Sequence, residues 1–200
     1  YHIKMYLYFA IWNFSIAKRE PRLKDIYDAE DPYSKPNFRI LDTLNGVYED
    51  PLIKPEEMKD FETGIVYNSK KVKAELNLYF MDFRNEIVNN GQLDNVGQLI
   101  VGNAGKSVHK GIELGLTLNP FDQKYLKGFS LTGNLNLSDN HFTEYKEVSG
   151  LDSTGNIIYG NDYSGNKILL SPGLIGNLNL DYTSKSGFNA YVSLQYIGIQ

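Results

Sequence analysis

From Lys127 to Ser138 the chain reads KGFSLTGNLNLS, with apolar residues or glycine at the odd positions from Phe129 and small polar residues at the even ones from Ser130. Alternate side chains of a strand point to opposite faces, so this pattern predicts a strand with one apolar and one polar face. The same alternation recurs at Lys71 to Met81, Gly111 to Asn119 and Gly187 to Tyr196. Each copy is about as long as a bilayer-crossing strand, roughly 9 to 11 residues. Two-faced strands in series predict the wall of a barrel.

Seven strands are expected, at about 3–16, 60–68, 71–84, 106–119, 128–140, 169–183 and 187–199. The connections between them alternate in length. Long ones (Lys18 to Lys59, Asn85 to Gly105, Asn140 to Ile168) follow the odd-numbered strands, and shorter ones (Asn68 to Lys71, Asn119 to Lys127, Thr183 to Gly187) follow the even-numbered strands. If successive strands are antiparallel, long loops gather at one end and short turns at the other. That asymmetry belongs to an all-β, antiparallel up-and-down transmembrane barrel with long outer loops and short periplasmic turns. A Greek-key sandwich crosses over at both ends and has less reason to sort its loops.

Charge tests the face assignment, because a Lys or Arg facing lipid at the midplane costs about 2 to 4 kcal/mol. In the third strand Val72, Ala74, Leu76, Leu78 and Phe80 share one face, and Lys71, Lys73, Glu75 and Asn77 take the other. Ile112, Leu114, Leu116 and Leu118 oppose Glu113 and Thr117. The sixth and seventh strands repeat the scheme, with Leu178, Leu180, Val192 and Leu194 against Asn177, Asn179, Ser193 and Gln195. Aromatics of the uncharged face collect at strand ends: Tyr67, Phe129, Tyr182 and Phe188 by the short turns, Phe61, Phe80 and Tyr196 toward the long loops. Two interfacial girdles account for this. The Asn, Ser, Thr and Gly of the other face suit a hydrated lumen better than bulk water, which would favour more charge.

Composition narrows the class. The 200 residues carry a net charge of -4, which gives no electrostatic case for nucleic acid. Without cysteine there is no disulfide, thiolate metal site or cysteine nucleophile. Fifteen tyrosines and ten phenylalanines suit both strands and membrane interfaces. Mean hydropathy is -0.37 and no run reaches the ~18 to 20 apolar residues of a spanning helix, a test that strands escape. The apolar opening from His2 to Ala17 mimics a signal peptide, but it is too aromatic and lacks a small-residue cleavage site, so a strand is expected there. Because a barrel in lipid must close and bacterial single-chain barrels use an even number of strands, seven strands are expected to form part of a larger barrel, with residues 1–200 as one incomplete barrel domain.

Candidate chemistry is sparse. Gly102-Asn-Ala-Gly-Lys-Ser107 has two residues between its glycines where a phosphate loop needs four, and it leads into a strand rather than a helix; it reads as a loop re-entering the wall. His2, His109 and His141 lack metal-type spacing and read as surface or rim residues. Asp152 to Asn156 and Asp162 to Asn166 are oxygen-rich but lack EF-hand spacing, and turns are expected. No nucleophile elbow is present, so no catalytic residue, metal or cofactor is assigned, and binding by the long loops is the expectation.

Arg19-Glu-Pro-Arg22 after an aromatic strand, then Tyr48-Glu-Asp-Pro-Leu-Ile-Lys-Pro-Glu56 leading to Asp60-Phe-Glu-Thr-Gly64, resembles the C-terminal barrel of TonB-dependent outer-membrane receptors, especially those of Bacteroidetes-like bacteria. Asn77 to Ile87, Asn103 to Glu113 and Ser171 to Asn177 look like successive strands of the same family in the same order. The motif positions carried over are Arg19, Glu20, Pro21, Glu62, Asn103, Lys106, Gly111 and Glu113. The resemblance implies a 22-stranded barrel in the outer membrane of a Gram-negative bacterium, surrounded by lipid and lipopolysaccharide. It also implies a plug domain, energisation by the TonB complex through that plug, and import of a scarce small-molecule nutrient such as an iron-siderophore, cobalamin or a glycan. The plug, the TonB-interacting segment and the family's C-terminal aromatic find no match here. On this reading Glu62, Glu75 and Glu113, with Lys73, project into the lumen, and loops 18–59, 85–105 and 140–168 close over ligand. Two other readings stand beside it: a passive porin or adhesin barrel, and a soluble carbohydrate-binding β-sandwich.

Overall fold

The computed structural model describes residues 7–26, 38–42, 45, 47–93, 99–119, 128–152 and 156–199. Its main body is one antiparallel sheet of seven strands, paired in chain order: β1 (Leu7–Arg19), β4 (Glu56–Asn68), β5 (Val72–Leu93), β6 (Leu99–Leu118), β7 (Phe129–Glu144), β10 (Leu174–Thr183) and β11 (Asn189–Ile197). Two hairpins stand in the long connections, β2 (Phe38–Asp42) with β3 (Val47–Pro51), and β8 (Lys146–Leu151) with β9 (Ile157–Asp162). The only helix among the described residues is the single turn α1 (Leu23–Ile26). The other two sheets among the described residues are these two-stranded hairpins, neither of which has the size of a sandwich's second layer.

The register aligns the faces across the whole sheet. One row runs Ala10, Ile65, Leu76, Leu114, Leu135, Gly176, Tyr196, and the next runs Trp12, Thr63, Leu78, Ile112, Leu137, Leu174. Both are uncharged. So is the row Tyr8, Tyr67, Ala74, Leu116, Gly133, Leu178, Leu194 on their short-turn side. Trp12 is 76% exposed, and Leu76, Leu78, Ile112, Leu114 and Leu137 are exposed as well, so this face has no protein cover. The uncharged rows, closed by the aromatic contacts below, span a few turns of the pleat at about 6.7 Å each, which on tilted strands matches an apolar band about 25 Å tall.

Aromatic pairs mark the short-turn edge of the band: Tyr8 lies 5.3 Å from Tyr67 and Phe129 lies 4.6 Å from Tyr182, ring to ring. At the other edge Phe14, Phe61 and Phe80 form one row, and the next two strands continue it with Lys110 and Asp139, paired at 3.3 Å. Charge therefore does enter the outward face, at the long-loop end in the aromatic row itself.

The short turns are built as their sequences require. Ser69 closes the β4–β5 turn, its N–H donating to Val72 O at 2.8 Å and its hydroxyl accepting from Val72 N at 3.0 Å. Gly187, at φ 88°, supplies the left-handed residue of the β10–β11 turn, where Ser184 and Phe188 close the ring. The Asn119 to Lys127 connection lies mostly outside the described residues.

Strand ends depart from the pattern in one consistent way. β5 has 22 residues and β6 has 20, roughly twice what a bilayer crossing needs, so the predicted loop 85–105 is largely paired strand and Gly102 to Ser107 is strand rather than a loop re-entering the wall. β1, β4 and β7 likewise reach past residues 16, 60 and 140 at their long-loop ends. Beyond the membrane both faces of a strand meet water or other protein, so apolar alternation stops while the hydrogen-bond ladder continues. The sixth strand is the exception. It starts at Leu174 rather than 169, because Leu170 takes φ 60° and Pro172 has no N–H to give a ladder. Residues 3–6 of the expected first strand lie outside the described residues.

The buried apolar cluster sits above the band rather than inside the sheet. Ala104, Phe142 and Tyr145 form it, with Val88, Tyr163 and Ile168 packed around them.

Candidate functional site

Opposite the uncharged band lies the polar face of the wall. Its central row is Ile11, Gly64, Asn77, Glu113, Asn136, Ile175, and the rows on either side bring Glu75 and Asn134, then Glu62, Tyr79, Gly111 and Ser138. Glu113 stands between two carboxamides, accepting from Asn77 Nδ2 at 3.2 Å and Asn136 Nδ2 at 3.4 Å, one from each neighbouring strand. Asn177 Nδ2 donates to Asn134 Oδ1 at 2.8 Å in the next row. Lys73 pairs with Glu75 at 2.5 Å. Glu62, Gly111 and Glu113 are thus gathered on one surface, and Glu62 and Glu113 share a hollow of about 280 Å³ with Tyr79, Met81, His109 and Asn140.

Gly111 is the close-approach point of this surface. A Cβ there would lie 2.5 Å from Leu137 O and 2.5 Å from Tyr79 Oη, because the Tyr79 ring lies across the glycine toward Asn136 and Ser138 of β7. An aromatic ring covers the gap that the missing side chain leaves, tying β5 to β7 across β6.

Toward the long loops the same face becomes a tight polar cluster. Glu86 receives the Ser107 hydroxyl on one oxygen and faces His109 Nε2 at 3.1 Å with the other, while the His109 ring packs on Phe83 at 4.8 Å. His109 is therefore an interior residue of the wall, not a rim residue. His141 is a rim residue, 3.5 Å from Asp139 and bridged to Lys167; His2 lies outside the described residues. Asp60 is buried at 6% exposure, and its Oδ1 has no hydrogen-bond partner, as is true of Asn140 Oδ1 in the same cross-strand row.

Arg19 and Asn103 both reach the β5 backbone where β4 stops pairing with it. Arg19 Nη2 donates to Glu56 Oε2 at 2.7 Å and to Ile87 O at 3.3 Å, and Asn103 Nδ2 donates to Asn85 O at 2.7 Å. Lys106 goes elsewhere: it faces outward and pairs with Glu144 at 2.9 Å. Glu20 and Pro21 follow β1 outside any regular element.

The β8–β9 hairpin is tied to the end of β7 through an aromatic cluster. Phe142 and Tyr145 pack at 4.7 Å and Tyr145 and Tyr163 at 5.4 Å, with Tyr163 N donating to Tyr145 O at 2.7 Å. Burial pushes the Tyr145 hydroxyl above its usual range, and Glu147 and Tyr163 add to the shift. The two oxygen-rich segments are turns: Asn156 N and Nδ2 both donate to the Asp152 carboxylate, and Ser164 N donates to Asp162 Oδ1 at 3.0 Å ahead of Gly165 at φ 83°. Val148, Ile157, Ile158 and Tyr159 are left exposed on the hairpin.

The pattern of alternation could not single out Asn85, Glu56, Glu86 or Asp60. The one local cue was Asn85 itself, since asparagine tolerates the left-handed φ of 52° that it adopts.

Comparison with known proteins agrees with this architecture. Residues 14–200 match the family described as TonB dependent receptor-like, beta-barrel. No curated protein sequence matches the chain. Among solved structures the chain is similar to the copper transporter OprC (TM-score 0.61, 15% identity, 95% of this chain and 24% of that one). It is similar to the siderophore receptor PirA from Pseudomonas aeruginosa (TM-score 0.56, 15% identity, 96% and 28%). The FrpB iron transporter from Neisseria meningitidis gives a TM-score of 0.54 at 17% identity over 98% and 25%. The chain spans about a quarter of the length of these structures, and at such identities the likeness is one of fold. With nearly its whole length matched and its seven strands paired in order, this chain belongs to the TonB-dependent receptor family as part of its β-barrel.

Proposed function

We propose that this chain forms part of the wall and outer rim of an outer-membrane receptor that binds a scarce nutrient and imports it with energy from the TonB complex, delivered through a plug domain. The observation that carries the reading is the uncharged, uncovered outward face spanning seven strands, backed by a lumen face of Asn, Ser, Thr, Gly and a few carboxylates. Lipid and lipopolysaccharide would meet the outward face, with the charged pair Lys110 and Asp139 lying at the outer headgroups.

The nutrient class follows from the relatives as an inference only. The named neighbours handle copper, siderophores or iron, and an iron-siderophore leads cobalamin and glycans on that ground. Of the motif residues, Glu62, Gly111 and Glu113 would line the hydrated path. Arg19 and Asn103 would brace the outer connections, and Lys106 would serve the headgroup side. Glu20 and Pro21 would direct the chain from β1 into the first outer connection.

The test is uptake by cells carrying the complete receptor. Accumulation of a ferric siderophore, cobalamin or a labelled glycan should depend on the receptor and stop when an uncoupler collapses the proton-motive force. Receptor-dependent accumulation that survives the uncoupler would mean a passive pore.

A further inference from the structure

We propose that Asn103, together with Glu56 and Arg19, latches the first outer connection onto the β5–β6 arm, so that residues 52–57 and 85–89 move as one body. The β4–β5 ladder ends at the pair Glu57–Arg84. Above it β5 continues, paired on one side only with β6. Asn85, at φ 52°, marks the point where the second partner is lost. From there the edge of β5 that β4 would have covered presents bare backbone groups, which need partners if they are to be shielded from water.

Side chains supply those partners. Ile87 N donates to Glu56 Oε2 at 2.9 Å, and Ile87 O accepts from Arg19 Nη2 at 3.3 Å. Glu56, only 8% exposed, also takes Arg19 Nη2 at 2.7 Å on the same oxygen. The reverse lock is made by Asn103. Its Oδ1 accepts from Lys54 N at 2.7 Å, while its Nδ2 donates to Lys54 O at 3.0 Å and to Asn85 O at 2.7 Å.

One carboxamide thus satisfies both the N–H and the C=O of Lys54, as a neighbouring strand would with its backbone, and uses its second donor on β5. Only Asn fits this role: Asp lacks the donors, and a longer Gln would displace them. Pro55 explains why a side chain is needed, since a segment with a missing N–H there cannot extend the ladder. Ile53, buried at 6%, anchors the same segment.

Asn103 is therefore a positioning residue, linking an outer connection to an arm that both flank the proposed ligand path. Its bearing on ligand capture rests on the function proposed above; the latch does not. The closing experiment is hydrogen exchange by mass spectrometry on the complete receptor in detergent micelles, without ligand. In Asn103→Ala, peptides covering 52–57 and 85–89 should both exchange roughly tenfold faster. Peptides from the wall at 129–137 should keep the native rate, which certifies folding. Asn103→Asp should fail to restore either segment. Acceleration in only one segment, in neither, or rescue by Asp would overturn the latch. If the latch holds and yet Asn103→Ala leaves receptor-dependent uptake of ferric siderophore, cobalamin and glycan unaltered, the ligand-path reading fails on its own.

Discussion

At the scale of single residues the wall is governed by what a side chain meets across one or two strands. Gly111 admits no Cβ, since both Leu137 O and the Tyr79 hydroxyl would stand 2.5 Å from it. Gly111→Ala should cost about 1 to 3 kcal/mol of barrel stability, as overpacking does. Thermal unfolding of the complete receptor in detergent would measure it. Adding Tyr79→Ala should recover only part, because the carbonyl clash is with backbone. A second residue outside the membrane responds to pH. Asp25 is buried, which would raise its pKa. Its bonds from Arg22 N at 3.0 Å, Nε at 2.9 Å and Nη2 at 2.8 Å outweigh that and hold the carboxyl below its ordinary value. A depressed carboxylate stabilises above its unfolded pKa, about 4, and that contribution is lost as pH falls through the folded value. Protection of the amides in residues 20–26, their exchange rate taken relative to the intrinsic rate at each pH, should therefore be greatest at neutral pH and fall below about pH 4. The sequence singled out Gly111 and Glu113 by motif, and the register puts them on adjoining rows of one face. Glu56 and Asn85 lie in quoted stretches but were not singled out, because their contacts depend on where a neighbouring strand ends.

At the scale of elements, alternation identified all seven strands of the sheet and, for every strand after the first, its uncharged face, and the register aligns those faces across the sheet. Leu114 lies in an uncharged row with Ile65, Leu76 and Leu135. Leu114→Lys should cost about 2 to 4 kcal/mol, whereas Thr132→Lys, on the lumen face of the next strand, should stay within about 1 kcal/mol. The folded fraction of each variant on refolding into detergent would give both numbers, and equal losses would mean the faces are misassigned. What alternation could not give was the outer half of β5 and β6. The contrast at Phe80, Asp82 and Arg84 shows why: the apolar residue is followed on the same face by charges, so the period-two hydrophobic signal ends while the ladder runs on to Leu93. The β2–β3 and β8–β9 hairpins escaped because their strands of five or six residues carry no two-faced pattern; β8–β9 is held by the bonds between Asp152 and Asn156 and by the Tyr145–Tyr163 contact.

At the scale of the molecule, the seven strands leave β1 and β11 with one edge each that no described strand pairs. Alternate residues of the 13-residue β1 and the 9-residue β11 direct N–H and C=O groups off those edges. In hydrocarbon each such group costs several kcal/mol, so the two edges together cost tens of kcal/mol, against a net stability of about 5 to 15 kcal/mol for a folded domain. In water the edges are solvated, but the exposed rows of Trp12, Leu76, Leu114 and Val192 are not covered, and the few buried residues of the outer cluster cannot offset the entropy of ordering the sheet. The seven-strand sheet is thus unsuited to either solvent until β1 and β11 find further strands. Residues 1–200 alone in buffer should show no cooperative unfolding transition by circular dichroism, while the complete receptor in detergent should show one. A sharp, denaturant-dependent transition of the 200-residue chain in plain buffer would mean that its outward face is covered in some other way, and the membrane assignment of that face would fall with it.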